Sequence, residues 1–326
     1  MSTGTTPLRG AHADPGAHSA APQDGAFARP DGIDLRARPL TPDDAPAVVA
    51  LARADEAESL PEPMTELVDV QRSWRASDAD LDRRSLGLLD GEELVAYVVV
   101  GRHGRLDAVV PARLRGRGIG TALHRWAQAT AAALGEREVG QTVPVGSAAE
   151  AFLLTAGARP EYDAWVLELP AGRRVEPQPL PRGYALGEGR PDEMSTVHRV
   201  IEDAFGEWPG RQPTTYAQWA ADFLDGEEAA PWRCRVGRGP GGAVVGVAMI
   251  IGSDDGMLWV DELAVDAAHR GRGLARALLA ESFAEGRRRG LDRSGLSTDS
   301  RTGALGLYEH VGMAVVSTFR RLALPL

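Results

Sequence analysis

The sequence predicts an α+β protein built twice over, each copy a mixed, mostly antiparallel sheet flanked by helices. Three observations carry this. The hexapeptide RGRGIG at 115–120 returns as RGRGLA at 270–275, each after a short apolar run and each opening a helix rich in alanine and leucine. The same offset of 155 residues, without a gap, lays Gly135 on Gly290, Gly140 on Gly295, Ala149 on Ala304 and Gly157 on Gly312. Both copies also start alike, with a strand and then a proline-led helix in which Pro42 matches Pro191. A repeat of this length, with strand and helix patterns interleaved in one order, is a duplicated domain.

The elements follow in order. Residues 1–31 mix Ala, Gly, Pro, Ser, Thr, His and Asp with few large apolar groups, too little to offset ordering entropy, so they are expected as a flexible tail. The first repeat is expected over 32–169. IDLRARPL alternates as a strand from Ile33, TPDD supplies a helix start, and a helix is expected from Asp43 to Ala54. LVAYVVVG and RLDAVV read as strands, and a helix is expected from Gly118 to Leu134. A proline-rich stretch over 170–182 predicts an extended linker. The second repeat, 183–326, opens on GYALGEGRPDE, and Val197, Val200, Ile201 and Phe205 then recur at helical spacing. CRVGR, AVVGVAMII and MLWVDELAV are strand-like, followed by a helix from Gly273 to Arg289 and a strand from Arg293 to Ser297. ALGLYEHVGM reads as a short helix ending at Gly312, a position suited to a left-handed cap.

Bulk properties narrow the function. The 326 residues are 43% hydrophobic, enough for two domain cores, and the net charge of −10 disfavours nucleic acid and anionic membranes as partners. A single cysteine, Cys234, allows no internal disulfide and no cysteine-based metal site, so no metal is expected and a reducing, cytoplasmic setting is. There is no signal-peptide pattern and no apolar run long enough to span a membrane. Small molecules are the expected partners.

The chemistry concentrates where the hexapeptide meets its helix. Glycines at 271 and 273 let backbone amides approach a ligand at the positive end of a helix, which suits a phosphate, and Arg270 and Arg272 could add charge-assisted bonds. A dinucleotide fingerprint fits less well, since the glycine spacing differs and no acid follows about 20 residues later at a strand end.

On these residues both halves resemble the GNAT superfamily of N-acetyltransferases, and the layout is similar to tandem acetyltransferases of the mycothiol synthase type. The family's acyl-CoA motif is matched by Arg115, Gly118 and Gly120 and again by Arg270, Gly273 and Ala275. The resemblance implies acetyl-CoA, or another acyl-CoA, with a site in each half. Val109, Val110, Arg115, Gly116, Arg117, Gly118, Ile119, Gly120 and Thr121 would hold it in the first. Leu263, Ala264, Val265, Arg270, Gly271, Arg272, Gly273, Leu274 and Ala275 would do so in the second. It also implies that Tyr308, in the run Leu307, Tyr308, Glu309 before Gly312, protonates the departing thiolate, a reasonable task for a phenol of pKa about 10. Leu153 stands at the matching place in the first half, which is therefore expected to bind without reacting. The family's usual asparagine upstream of the tyrosine is replaced by Ser300 or Arg301.

For the base, the resemblance points to Glu262, beside Asp261 on the strand entering the loop, with Asp107 in the matching place and Asp299 a weaker candidate. Cys234 is expected in the core, Arg287, Arg288 and Arg289 at a solvated helix end, and His310 at the surface. Trp208, Trp219, Trp232 and Trp259 could line an acceptor pocket, with core packing the default. Glu202, Asp203, Glu207 and Asp222 hint at a cationic amine acceptor. Two readings follow: an N-acyltransferase acting on a primary amine of a small molecule by direct transfer in a ternary complex, or a non-catalytic acyl-CoA binder or sensor. Tyr308 separates them.

Overall fold

The computed structural model describes residues 27–76, 80–170, 172–176, 179–208, 211, 213–224, 231–253 and 256–326. The tail expected over 1–31 thus lies outside the described residues up to residue 26. Two compact units are present. One takes in the described residues up to Asp55, Met64–Val139 and Pro325–Leu326; the other takes in Glu56–Pro63 and Gly140–Leu324.

In the first unit a four-stranded antiparallel sheet of order β1-β2-β3-β4 is formed by Arg36–Arg38, Ser85–Asp90, Glu93–Val100 and Leu106–Val109. Helix α1 (Ala45–Glu56) follows a 3-10 turn at Pro42–Asp44, and α2 (Leu67–Ala76) and α3 (Leu81–Arg84) precede β2. Thr41 and Asp44 form a reciprocal cap around that turn, so the α-helix proper starts two residues after the Asp43 expected from sequence. One face of α1 and α2, with Val48, Ala52, Val70 and Trp74, closes over Leu94, Tyr97, Val99 and Val109. Helix α4 (Ile119–Ala133) contacts β3 and buries Ile119, Leu123, Trp126, Ala127 and Ala131, a 3–4 spacing that gives it one apolar face.

The second unit is organised on an eight-stranded sheet of order β5-β12-β6-β11-β10-β9-β8-β7. Its strands are β5 (Glu138–Pro144), β6 (Arg159–Glu168), β7 (Ala185–Glu188), β8 (Cys234–Arg238), β9 (Val244–Gly252), β10 (Met257–Val265), β11 (Arg293–Asp299) and β12 (Ala314–Pro325). Helices α5 (Ala148–Thr155), α6 (Met194–Phe205), α7 (Tyr216–Phe223), α8 (Leu274–Arg288) and α9 (Leu305–His310) complete it. Strands β10 and β11 pair in parallel; β6 with β11, β6 with β12, and β7 through β10 pair antiparallel. Helix α8 buries Leu274, Leu278, Leu279 and Phe283 against Ala248, Ile250, Leu258 and Val260, while α6 buries Val197, Val200 and Ile201 against Val247, Met249 and Ala264. Alternate residues of β9 therefore face different helices, as a period of two requires.

The terminal strands of the two repeats are exchanged. Strand β6 belongs to the first repeat yet pairs with β11 of the second, and β12 of the second repeat lies beside β5 of the first. The arrangement obeys the 155-residue offset. The β6–β12 register couples Glu168 with Ala314 and Arg159 with Ala323, two pairs that the offset interchanges. The Val145 amide donates to the Thr318 carbonyl at 2.9 Å, and its counterpart Ser300 donates to Asp163 at 2.8 Å. The spatial division therefore does not follow the repeat boundaries expected at 32–169 and 183–326, because β5, α5 and β6 complete a sheet with strands of the second repeat. Within the linker stretch, Val175 is buried in the same core as α8.

Candidate active site

The central feature is the place where β10 and β11 part. They pair from Met257 with Arg293 to Val260 with Leu296, and no further. At that point the pairing of β10 with β9 shifts register between Val260 and Glu262, leaving Asp261 as the extra residue of a bulge. Before the bulge, Val260 faces the α8 side. After it, Glu262 pairs with Met249 and Ala264 with Val247, so both turn to the α6–α7 side. One edge of residues 262–265 is left without a strand partner, an opening for an extended ligand.

Beyond β10 the chain turns through a 3-10 segment, Ala267–His269, capped by Asp266, and reaches Gly271 and Gly273 at φ of 72° and 80°. Gly116 and Gly118 repeat these angles at 72° and 80°. Such values lie in the left-handed region that favours glycine. No side chain caps α4 or α8, and the first intrahelical bonds run from Ala122 to Gly118 and from Ala277 to Gly273. The amides of the first turn thus remain available to an anion at the positive end of a 15-residue helix.

Placement of the expected ligand residues is uneven. Val109, Ile119, Ala264, Val265 and Leu274 are buried, and Leu263 and Ala275 pack on the core, so their polar contribution is backbone. Arg117, Thr121 and Arg272 are exposed. Arg270 is engaged with the protein itself. Its Nε donates to the Val265 carbonyl at 3.0 Å and its Nη1 to Glu207 at 2.7 Å. Arg115 does the same with Val110, at 2.9 Å, and with Asp55. In both copies this arginine ties the loop to the end of its strand, and Arg272 beside it is exposed and donates to the Ala268 carbonyl at 3.3 Å.

Glu262 and Tyr308 flank the parting strands. One carboxylate oxygen of Glu262, Oε2, accepts from the Trp219 indole at 3.0 Å. Burial pushes its pKa up to about 7, against the lowering effect of that hydrogen bond. Tyr308 is buried on α9 in the cluster that holds Val260 and Leu296, the last pair before the strands separate. Burial raises its phenol to about 12, and no described residue bonds its hydroxyl. Leu153, its counterpart, is 3% exposed among Val143, Ala158 and Leu322 and offers no proton. Asp107, the counterpart of Glu262, accepts from the Tyr97 hydroxyl at 3.0 Å.

The other candidates are engaged elsewhere in the structure. Asp299 is held by Arg301 at 2.6 Å and caps its own turn. Ser300 donates its amide to Asp163 and accepts from the Asp163 amide with its hydroxyl, so it serves the exchanged strand. Cys234 is buried and its thiol is pushed up to about 12, as a core residue should be. The acids expected to attract a cationic acceptor are paired: Glu202 with Arg211 at 2.7 Å, Asp203 with Arg199 at 3.5 Å, and Glu207 with Arg270. The side chain of Asp222 lies outside the described residues. Trp208 stacks on Phe205, Trp232 lies under Arg289, and Trp259 packs on Gly295, which leaves Trp219 as the tryptophan bonded to the candidate base. Sequence reasoning missed that bond because its partners stand 43 residues apart. Among the described residues no cluster of His, Cys, Asp and Glu is arranged to hold a metal, and no helix is long and apolar enough to cross a membrane.

The profile of the acetyltransferase (GNAT) family matches residues 195–313. A mycothiol acetyltransferase of Thermobispora bispora is 28% identical over 288 residues, which span 83% of this chain and 93% of that protein. A GCN5-related N-acetyltransferase from Sphaerobacter thermophilus superposes with a TM-score of 0.74 at 28% identity, covering 89% of this chain and 95% of that one. A tandem GNAT protein from the clavulanic acid biosynthesis pathway shares the fold, with a TM-score of 0.66 at 18% identity over 90% of this chain and 98% of its own.

Proposed function

Because the chain is a tandem GNAT acetyltransferase, we propose that it moves an acetyl group from acetyl-CoA to a primary amine of a small molecule, with chemistry in the second repeat alone. The observation that carries this reading is the bulge at Asp261. It turns Glu262 to the α6–α7 side where β10 leaves β11, while Tyr308 packs beside the last paired residues. Glu262 takes the proton of the attacking amine, the amine nitrogen bonds to the thioester carbon, the carbon–sulfur bond breaks, and Tyr308 gives its proton to the leaving thiolate. No covalent acyl-enzyme is needed, and the buried Cys234 thiol is not available to form one.

The uncapped start of α8 would hold the diphosphate, and the unpaired edge of residues 262–265 the pantetheine arm. The first repeat keeps the same cradle without an acid, which supports a second acyl-CoA site that does not turn over. The name of the Thermobispora relative makes an amine of the mycothiol kind a leading acceptor. Glu202, Asp203 and Glu207 are each paired with an arginine, which weakens the support they lend to a cationic acceptor.

Release of CoA thiol, measured over mycothiol-type amines, amino acids and aminoglycosides, tests the reaction. Turnover with at least one amine is expected, and none would overturn the reading. Calorimetric titration with acetyl-CoA is expected to give two sites per chain; a single site would remove the role of the first cradle. A methyl group at 273 would have to adopt a left-handed backbone, at a cost of about 1–2 kcal/mol. Gly273→Ala is accordingly expected to raise KM for acetyl-CoA by about tenfold, whereas Gly118→Ala leaves turnover unchanged and weakens only the second titrated site.

A further inference from the structure

We propose that Trp219 is a positioning residue for the base, its indole N–H holding one oxygen of Glu262 so that the other is presented to the acceptor amine. The inference rests on the role given to Glu262 above, and its basis is geometric. The indole Nε1 lies 3.0 Å from Oε2, while no described residue bonds Oε1. Trp219 is itself 2% exposed, so the bond is made inside the protein rather than at its surface.

The aim of the indole is fixed by its surroundings. Thr215 and Gln218 form a reciprocal cap at the start of α7, one turn before Trp219. The rings of His198, Tyr216 and Phe223 pack around the indole at 5.6, 5.9 and 5.6 Å. Glu202 on α6 binds both Arg211 and the Thr214 amide, and His198 bonds the Thr214 carbonyl at 2.8 Å, so the segment entering α7 is fastened to α6. The ionisable groups that face Glu262 are Asp261 on its own strand, Glu202 on α6, Arg211 ahead of α7 and the Cys234 thiol on β8. Of its neighbours, Trp219 is the one bonded to the carboxylate. An N–H that is always neutral fits this task, since it steadies the ionised form without adding a charge that would repel an ammonium group.

Trp219→Phe is the direct test, read as the pH profile of kcat/KM. Loss of a donor to the carboxylate favours the protonated form, so the acid limb moves up by about one pH unit, activity at pH 7 drops by about fivefold, and much of it returns at pH 9. The same change made in a Glu262→Gln background is expected to have no further effect on kcat/KM. A limb that stays in place, or a full additive loss in that background, overturns the positioning role. If Glu262→Gln alone leaves the rate unchanged, the assignment of the base fails instead. The pair is also read in the unaltered protein: tryptophan emission is expected to titrate near pH 7 and to lose that transition in Glu262→Gln. Absence of such a difference overturns the proposal even if Trp219→Phe does not fold.

Discussion

Replacing Tyr308 with phenylalanine is expected to lower kcat by about 10²- to 10⁴-fold with little change in KM for acetyl-CoA, because it removes a proton donor and keeps the ring. The ring belongs to the core around α8 and α9, so the fold should survive, with a melting temperature within a few degrees of the parent. Burial places the phenol at about 12, so it remains protonated throughout the working range and contributes no basic limb there. The deficit should lie in the step that expels the thiolate. An acetyl thioester of a thiol more acidic than CoA should recover part of the rate, since a better leaving group needs less help. Full activity of the phenylalanine variant would remove Tyr308 from the mechanism. Leu153→Tyr, by contrast, is expected to leave turnover where it is, because that site lies packed among apolar groups in the first repeat.

The second large effect belongs to Glu262. The carboxylate works as a base only when ionised, and with a pKa of about 7 its activity should fall tenfold for each pH unit below that point. Glu262→Gln should lower kcat/KM by about 10²- to 10³-fold at pH 8 and abolish the acid limb. The same change should stabilise the fold. The folded pKa lies above that of an unfolded glutamate, about 4.3, so the neutral form is favoured by folding and stability is lost as pH rises through 7. Glutamine escapes this, and at pH 8 the variant is expected to be roughly 1–2 kcal/mol more stable by chemical denaturation. Loss of activity joined to a gain in stability is the signature of a group held in a strained electrostatic state for chemistry.

What the sequence made legible was local. The glycine angles at 116, 118, 271 and 273 repeat because the turn demands them, so the start of both long helices could be read to within a residue. The bulge at Asp261 was not legible, because MLWVDELAV reads as one uninterrupted strand and the register shift appears only in its pairing with β9. The exchange of β6 and β12 was not legible. Duplication gives the two strands equivalent positions and similar patterns, so nothing in either says which copy of the preceding strand it will join. The protein partners of Arg270 were illegible for a related reason: a guanidinium next to an anion-binding loop suits a phosphate, and Glu207, 63 residues earlier, is brought beside it only by folding. Non-local hydrogen bonds leave no periodic signal.

The strand exchange also bears on how the molecule can be made. During synthesis the first repeat emerges with β5 formed but with the neighbour it will pair with, β12, still untranslated. Strand β6 likewise emerges before β11, the strand it joins. The strands β5 and β6 cannot complete their pairing until strands of the second repeat have been made. Such a chain resists being cut between its repeats, because either half would lose the strands that the other supplies to the shared sheet.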